Sequence, residues 1–292
     1  MKRMKNPFTP AKPLAPGQPA FVPRGKQRPL FFVHIPKTSG SSWNSLLEDV
    51  YGRRNFISHA EFHLPNIKAG NDSPKTLDCV SAHIPLNNWR RQAGTEAYGL
   101  ITILRDPWAR LVSHVNWIDR FNNGKDMSGQ GNHADKVAHM ASLIAQTDFE
   151  DRKSVQYFFD HAHDAGHYAH FDNLQVRMLY RGKLRQMEAP ISPELTQGAL
   201  RSLKSFDGFG ICEDGNRFQN ELLQDLGQPV RAEVPHKNKS SLSKLRVDHH
   251  IARDVLQPWL AADQTLYRRA RAWAAERTQL RNIAPSEAEN TA

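Results

Sequence analysis

Phe31-Phe32-Val33-His34-Ile35-Pro36-Lys37-Thr38-Ser39-Gly40-Ser41-Ser42 runs from a short apolar stretch straight into a loop of one lysine, hydroxyl side chains and a glycine. Leu30 to Val33 reads as a buried strand, and Trp43, Leu46, Leu47 and Val50 then recur at helical spacing, so the loop joins a strand to a helix. The spacing predicts that this helix opens at Ser41 or Ser42, either a good N-cap, and closes at Gly52. A strand that passes to a helix through Gly40 turns unpaired backbone N–H groups and the positive end of the helix dipole toward the loop, and Lys37 adds a full charge. Such a loop is suited to phosphate or sulfate.

Residue order decides which anion site this is. A Walker A loop places its glycines first and Gly-Lys-Ser/Thr last, whereas here Lys37 comes first and Gly40 three residues later, so an ordinary ATP or GTP loop is excluded. Pro36-Lys37-Thr38-Ser39-Gly40-Ser41-Ser42 resembles instead the 5′-phosphosulfate loop of sulfotransferases that use 3′-phosphoadenosine 5′-phosphosulfate (PAPS). With His34-Ile35 in front of it, the segment is similar to the family that contains the heparan sulfate 2-O- and 6-O-sulfotransferases and many bacterial relatives. The resemblance implies that Lys37, Thr38, Ser39, Gly40, Ser41 and Ser42 hold the 5′ end of the nucleotide.

A second segment repeats the pattern. Leu100 to Leu104 reads as another buried strand, followed by Arg105-Asp106-Pro107 and a helical run through Leu111, Val112, Val115 and Ile118. Asp106 is a good N-cap, and Pro107 suits the first helical position, where its missing N–H costs nothing. Arg105 therefore stands at a strand end, where ligands collect in open α/β sheets, and Ser113 lies on the second turn of the helix. The run from Arg105 to Ser113 is similar to the family's 3′-phosphate motif, which implies that Arg105 and Ser113 hold the phosphate distinguishing PAPS from ATP.

Transfer of a sulfuryl group to a hydroxyl needs a base for the acceptor and positive charge for the developing phosphate oxygens on the leaving side. Lys37 supplies the charge. His83 is the leading base candidate, because Leu77 to Ala82 reads as a short strand that ends on it, and histidine titrates near neutrality. The resemblance places a catalytic histidine in the same order along the chain. His34 reads as structural, and His59 and His63, four residues apart, as weaker base candidates. His161, His163, His167 and His170 invite a metal reading, but no cysteine or close carboxylate pair completes a ligand set, and no metal is expected. The reaction itself needs no divalent ion, since a sulfuryl group carries less charge than a phosphoryl group.

Two later segments resemble the family more loosely. Asp172-Asn173-Leu174-Gln175-Val176-Arg177 is similar to an Asn-x-Gln-x-Arg helix, and Arg177 with Arg181, Lys183 and Arg185 forms a basic run that is a candidate for meeting an acidic acceptor. Pro235-His236-Lys237-Asn238-Lys239-Ser240 resembles a turn that closes over the nucleotide, making Lys237 and Lys239 candidate phosphate neighbours. From Val247 to Arg281 the pattern is helical with a break at Pro258, a carboxy-terminal cover.

The 292 residues suit one large α/β domain. A formal charge of +9 favours an anionic partner without choosing among nucleotide, acidic glycan, nucleic acid and membrane surface. Two cysteines, Cys79 and Cys212, are too few for a disulfide framework and fit a reducing compartment. No run reaches membrane-span length and the basic amino terminus has no apolar core, so a cytoplasmic, bacterial enzyme is expected. Residues 1–29, dense in proline and basic side chains, read as a disordered tail, 30–283 as the sulfotransferase domain and 284–292 as a frayed end; the polar stretch from Asn122 to His133 reads as a loop.

These readings predict a three-layer α/β/α domain with a mainly parallel central sheet, the P-loop-like sulfotransferase fold. The expected reaction moves a sulfuryl group from PAPS to a hydroxyl, releasing 3′-phosphoadenosine 5′-phosphate (PAP). The expected partner is a hydroxyl-bearing acceptor, a saccharide or polysaccharide by resemblance, with no nucleic acid and no membrane span. Two competitors remain at this point: an ATP-dependent small-molecule kinase of P-loop architecture, and a non-catalytic module that binds polyanions, whose affinity would track only salt.

Overall fold

A computed structural model of the protein describes residues 28–63, 77–92, 94–122, 134–164, 168–230 and 247–283. The proline-rich segment through residue 27, the stretch 123–133, Lys237 with Lys239, and the residues from 284 onward lie outside the described set.

Strand β1 (Leu30–Val33) leads into helix α1 (Gly40–Tyr51), followed by β2 (Phe56–Ile57), β3 (Cys79–Ala82), the single turn α2 (Leu86–Trp89) and β4 (Gly99–Leu104). Helices α3 (Pro107–Asp119), α4 (Ala134–Gln146), α5 (Arg152–Asp164), α6 (Leu174–Leu179) and α7 (Pro193–Lys204) come next, then β5 (Gly208–Ile211) and α8 (Arg217–Asp225). The last described elements are α9 (His250–Leu256) and α10 (Ala261–Ile283), separated by a 3₁₀ turn over Gln257–Leu260 that contains the expected break at Pro258. The five strands pair in the order β2-β3-β1-β4-β5, all parallel.

An all-parallel sheet needs both faces covered, and β1 is apolar at every position for that reason. Phe31 and Val33 point to one side, where they pack with Leu174, Leu179, Leu195 and Leu266 from α6, α7 and α10. Leu30 and Phe32 point to the other, against Trp43 and Leu47 of α1 and Phe218 and Leu222 of α8. All four strand residues are fully buried, and each stabilises the fold by about 1.5–3 kcal/mol relative to exposure. The result is the α/β/α sandwich expected from the sequence. A further apolar cluster was not foreseen: α3, α4, α5 and α9 build a separate helical core around Leu111, Val115, Ile144, Phe158 and Leu256.

The sheet order has one consequence that matters most. β1 lies between β3 and β4, with Val33 in register with both Ala82 and Thr102. The residues that follow these three strands therefore emerge side by side at one sheet edge, the carboxyl edge where open α/β sheets bind ligands.

Candidate active site

The loop after β1 departs from its sequence reading at the start of α1. The helix begins at Gly40, and its N-cap is Ser39 rather than Ser41 or Ser42. Ser39 (φ 69°) and Lys37 (φ 72°) both adopt the left-handed conformation that side chains other than glycine and asparagine rarely take. Left-handed residues alternating with ordinary ones curl successive N–H groups into an anion-binding concavity. The conformation is held from below: Thr38 is fully buried and its hydroxyl donates to the Ile35 carbonyl at 2.9 Å. The Thr38 hydroxyl is thus engaged within the protein's own loop. Ser39 caps nothing with its side chain, whose Oγ lies 2.9 Å from Cys212 Sγ. The Ser39 carbonyl accepts from the N–H groups of Ser42 at 3.1 Å and Trp43 at 3.3 Å, and Ser41, exposed, and Ser42, half-buried, belong to that first turn.

Gly40 is required by close approach. A Cβ there would stand 1.6 Å from His34 Nε2, and the His34 ring is wedged in place, stacked on Phe32 at 5.4 Å and against His83 at 4.0 Å. Gly40→Ala is expected to lower stability by about 1–3 kcal/mol, the usual cost of overpacking, and to lower the thermal midpoint accordingly. An unchanged melting curve would contradict this packing.

The loop after β4 keeps its sequence reading. Asp106 caps α3 by accepting from Ala109 N–H at 2.9 Å, with Pro107 in the first turn, and Ser113 sits half-buried on the second. Arg105 reaches across to the other loop, its Nη1 donating to the Lys37 carbonyl at 3.0 Å. Two segments 68 residues apart thus form one cationic edge, and Lys37 Nζ lies 5.8 Å from the Trp117 ring centroid.

His83 follows β3 as expected. Its Nδ1 is 2.7 Å from the His34 carbonyl oxygen, which only accepts, so Nδ1 carries the proton and Nε2 holds the free lone pair. Its backbone N–H donates to Glu61 Oε2 at 3.0 Å, while Glu61 Oε1 accepts from His59 Nδ1 at 3.2 Å. Burial holds the His83 pKa below its ordinary value, against the opposing pull of the Glu61 charge. Burial lowers His34 further, with His83 nearby adding to the effect. His59 moves the other way, raised by its hydrogen bond to Glu61. His59 and His63 do not share a helix: His59 precedes and His63 ends a 3₁₀ turn over Ala60–Phe62.

Sequence reasoning missed Glu61, whose role depends on a contact 22 residues away. Among the described residues, His59, Glu61 and His83 are also the group whose potential metal-ligating atoms come together, within 4.8 Å of one another. Within this cluster Glu61 Oε1 accepts from His59 Nδ1 and Oε2 from His83 N–H. Of the four histidines weighed earlier as ligands, His167 lies outside the described residues and His161 Nδ1 faces the Tyr157 carbonyl at 2.9 Å.

One expectation is overturned. Arg177 is fully buried and cannot meet an acceptor; it donates to the carbonyls of Asp172, Gln186 and Ala189 at 2.7–2.8 Å and pairs with the Asp172 carboxylate. Burying a guanidinium is tolerated because its donors are met. Gln175, next to it, was given no role by its sequence context, yet its side chain receives Arg105 N–H at 3.0 Å and donates to the Arg105 carbonyl at 2.9 Å.

Beside the loop lies a small cavity of about 30 Å³ whose lining includes Ser39, Ser42, Trp43, Ile103, Cys212 and Phe218. The loop after β1, an arginine linking a second strand end to it, and a histidine at a third thus stand together at the carboxyl edge of the sheet. The profile of the sulfotransferase family matches residues 24–270, and the chain belongs to that family. It is accordingly an enzyme, a sulfotransferase. A comparison with curated proteins finds no match. No helix among the described residues is long and apolar enough to cross a membrane.

Proposed function

We propose that the protein transfers a sulfuryl group from PAPS to an acceptor hydroxyl, with a saccharide as the acceptor. The observation that carries the reading is the meeting of the two anion loops, fixed by the Arg105 to Lys37 contact at 3.0 Å. A single-phosphate site needs one such loop; a nucleotide with phosphates on both its 5′ and 3′ positions needs two. The residues fit that donor: the concave loop at the start of α1 suits the 5′ end, and Arg105 and Ser113 suit the 3′-phosphate. PAPS supplies an activated sulfuryl group whose leaving group is a phosphate.

His83 takes the acceptor proton at Nε2. The His34 carbonyl fixes the tautomer at Nδ1 and steadies the imidazolium once it forms, as a carbonyl or carboxylate behind a catalytic histidine does. Glu61, through the His83 backbone, holds the end of β3 against the turn that carries His59. Lys37 places positive charge on the leaving side, at the loop whose shape the buried Thr38 latch maintains. The saccharide assignment rests on the family resemblance of the motifs. The test is PAP release from PAPS, driven by panels of saccharides, phenols and simple alcohols: stimulation by saccharides supports the reading, and stimulation by phenols or alcohols alone overturns its acceptor half.

A pH dependence follows from the buried histidine. With the His83 pKa held below about 6.5, its neutral, base-competent form prevails at neutral pH and is lost as pH falls through that lowered value. The rate should therefore be flat near neutrality with an acid limb below about 6.5. Stability should move in the same direction: the unfolded chain protonates His34 and His83 before the folded protein does, so acidification from about 6.5 downward favours unfolding. An acid limb centred above neutrality would contradict the assignment.

A further inference from the structure

At the carboxyl edge of the sheet, the backbone of Arg105 is held by a buried side chain from α6. Gln175 grips the backbone of Arg105 with both ends of its amide: Oε1 accepts Arg105 N–H at 3.0 Å and Nε2 donates to the Arg105 carbonyl at 2.9 Å. The pair mimics the exchange between neighbouring strands, and it comes just where β4 has ended at Leu104 and ladder partners run out. Both groups would otherwise be poorly satisfied at a part-buried position.

Gln175 is itself pinned. Its backbone N–H donates to Asp263 Oδ2 at 3.1 Å, and the next residue, Val176, donates to Oδ1 at 2.8 Å. Asp263 N–H in turn donates to Asn173 Oδ1 at 2.8 Å. A fully buried carboxylate from α10 thus receives the first N–H groups of α6, the arrangement that helix dipoles favour. Gln175 has no exposed surface, so its amide has no alternative partner in water. Arg105 is then braced twice, by Gln175 through its backbone and by the Lys37 carbonyl through its guanidinium.

From this geometry we infer that Gln175 is a positioning residue for nucleotide selectivity: it sets the direction in which Arg105 leaves the sheet edge, and so the preference for a nucleotide bearing a 3′-phosphate. The inference rests on the proposed donor, in which Arg105 receives that phosphate. A charged side chain that must meet a phosphate with a bidentate face gains its advantage only when its stem is fixed, because a free stem surrenders that advantage to conformational entropy. Asp263 and Asn173 support the same element from behind.

The test compares PAP with adenosine 5′-phosphate (AMP), which lacks only the 3′-phosphate, by calorimetric titration of the full chain. The variants are Gln175→Met, close in size without the two hydrogen bonds, and Gln175→Glu, which keeps the acceptor for Arg105 N–H and is used if the methionine variant does not fold. Circular dichroism and AMP affinity report the integrity of the fold and of the 5′ loop. The expected result is a PAP preference reduced by about tenfold, the scale of one charge-assisted hydrogen bond, with AMP affinity falling much less than PAP affinity. Equal weakening of PAP and AMP would mean that Gln175 only supports the fold, and an unchanged preference would mean that it does not direct Arg105; either overturns the inference. If the unmodified protein shows no preference for PAP over AMP, the donor reading fails first and the role of Gln175 falls with it.

Discussion

His83→Ala is expected to lower turnover by about 10²–10⁴-fold, the range over which a positioned general base contributes, while affinity for PAP stays nearly constant. The separation is expected because of how His83 is attached. Glu61 accepts from its backbone N–H, a contact that survives the substitution, whereas only the ring contributes the Nδ1 bond to the His34 carbonyl. Strand β3 therefore keeps its place and the anion loop on β1 keeps its neighbour, yet no group with a free lone pair remains at the end of β3. The ring does pack against His34 at 4.0 Å, so a modest loss of stability should accompany the loss of rate. PAP release from PAPS in the presence of acceptor, measured beside PAP titration, checks both halves. Retained turnover would remove His83 from the mechanism, and loss of PAP binding would mean that its ring supports the loop rather than the acceptor.

Arg105→Ala should act on the opposite side of that split. A hydrogen bond to a charged group contributes about 1.5–3 kcal/mol, so PAP affinity should fall by roughly 10- to 150-fold at 1.4 kcal/mol per tenfold. AMP affinity should fall less, but not stay fixed, because Arg105 also donates to the Lys37 carbonyl and so holds the left-handed loop that the 5′ end would occupy. The asymmetry between the two nucleotides carries the information. Competition titrations with PAP and AMP measure it directly; equal losses would show that Arg105 braces the loop without meeting a 3′-phosphate.

Much of this architecture was legible because the strands announce themselves. Leu30 to Val33 is a short apolar run and Leu100 to Leu104 is apolar but for Thr102, as suits strands buried on both faces, and Asp106-Pro107 marks the start of α3 with a cap and a preset φ. Local chemistry was enough to place Lys37, Arg105 and His83 at strand ends. That the three ends are adjacent is a property of the β3-β1-β4 order, which no local pattern encodes.

The misreadings have physical causes of the same kind. Ser41 and Ser42 look like better caps than Ser39, because a left-handed serine is disfavoured on its own; the buried Thr38 hydroxyl and the His34 ring under Gly40 hold the loop in that shape. Arg177 looked like one member of an exposed basic run, since composition does not distinguish a solvated arginine from one whose donors are taken up by Asp172 and three carbonyls. Glu61 carried no signal, and Gln175 only its place in the Asn-x-Gln-x-Arg pattern, because their partners lie 22 and 70 residues away. Of the helical cluster, α3 and α9 lie in runs that read as helical and α4 and α5 were not read, and that the four meet in one core is a tertiary property that no local pattern encodes.

The most direct test of the central claim is a calorimetric comparison of PAP with ATP plus magnesium on the unmodified protein. Two anion loops joined at Arg105 and Lys37, without the Gly-Lys-Ser/Thr order of an ATP site, predict tight binding of PAP and weak binding of ATP with magnesium. Equal affinity for the two, or a preference for ATP with magnesium, would contradict the account.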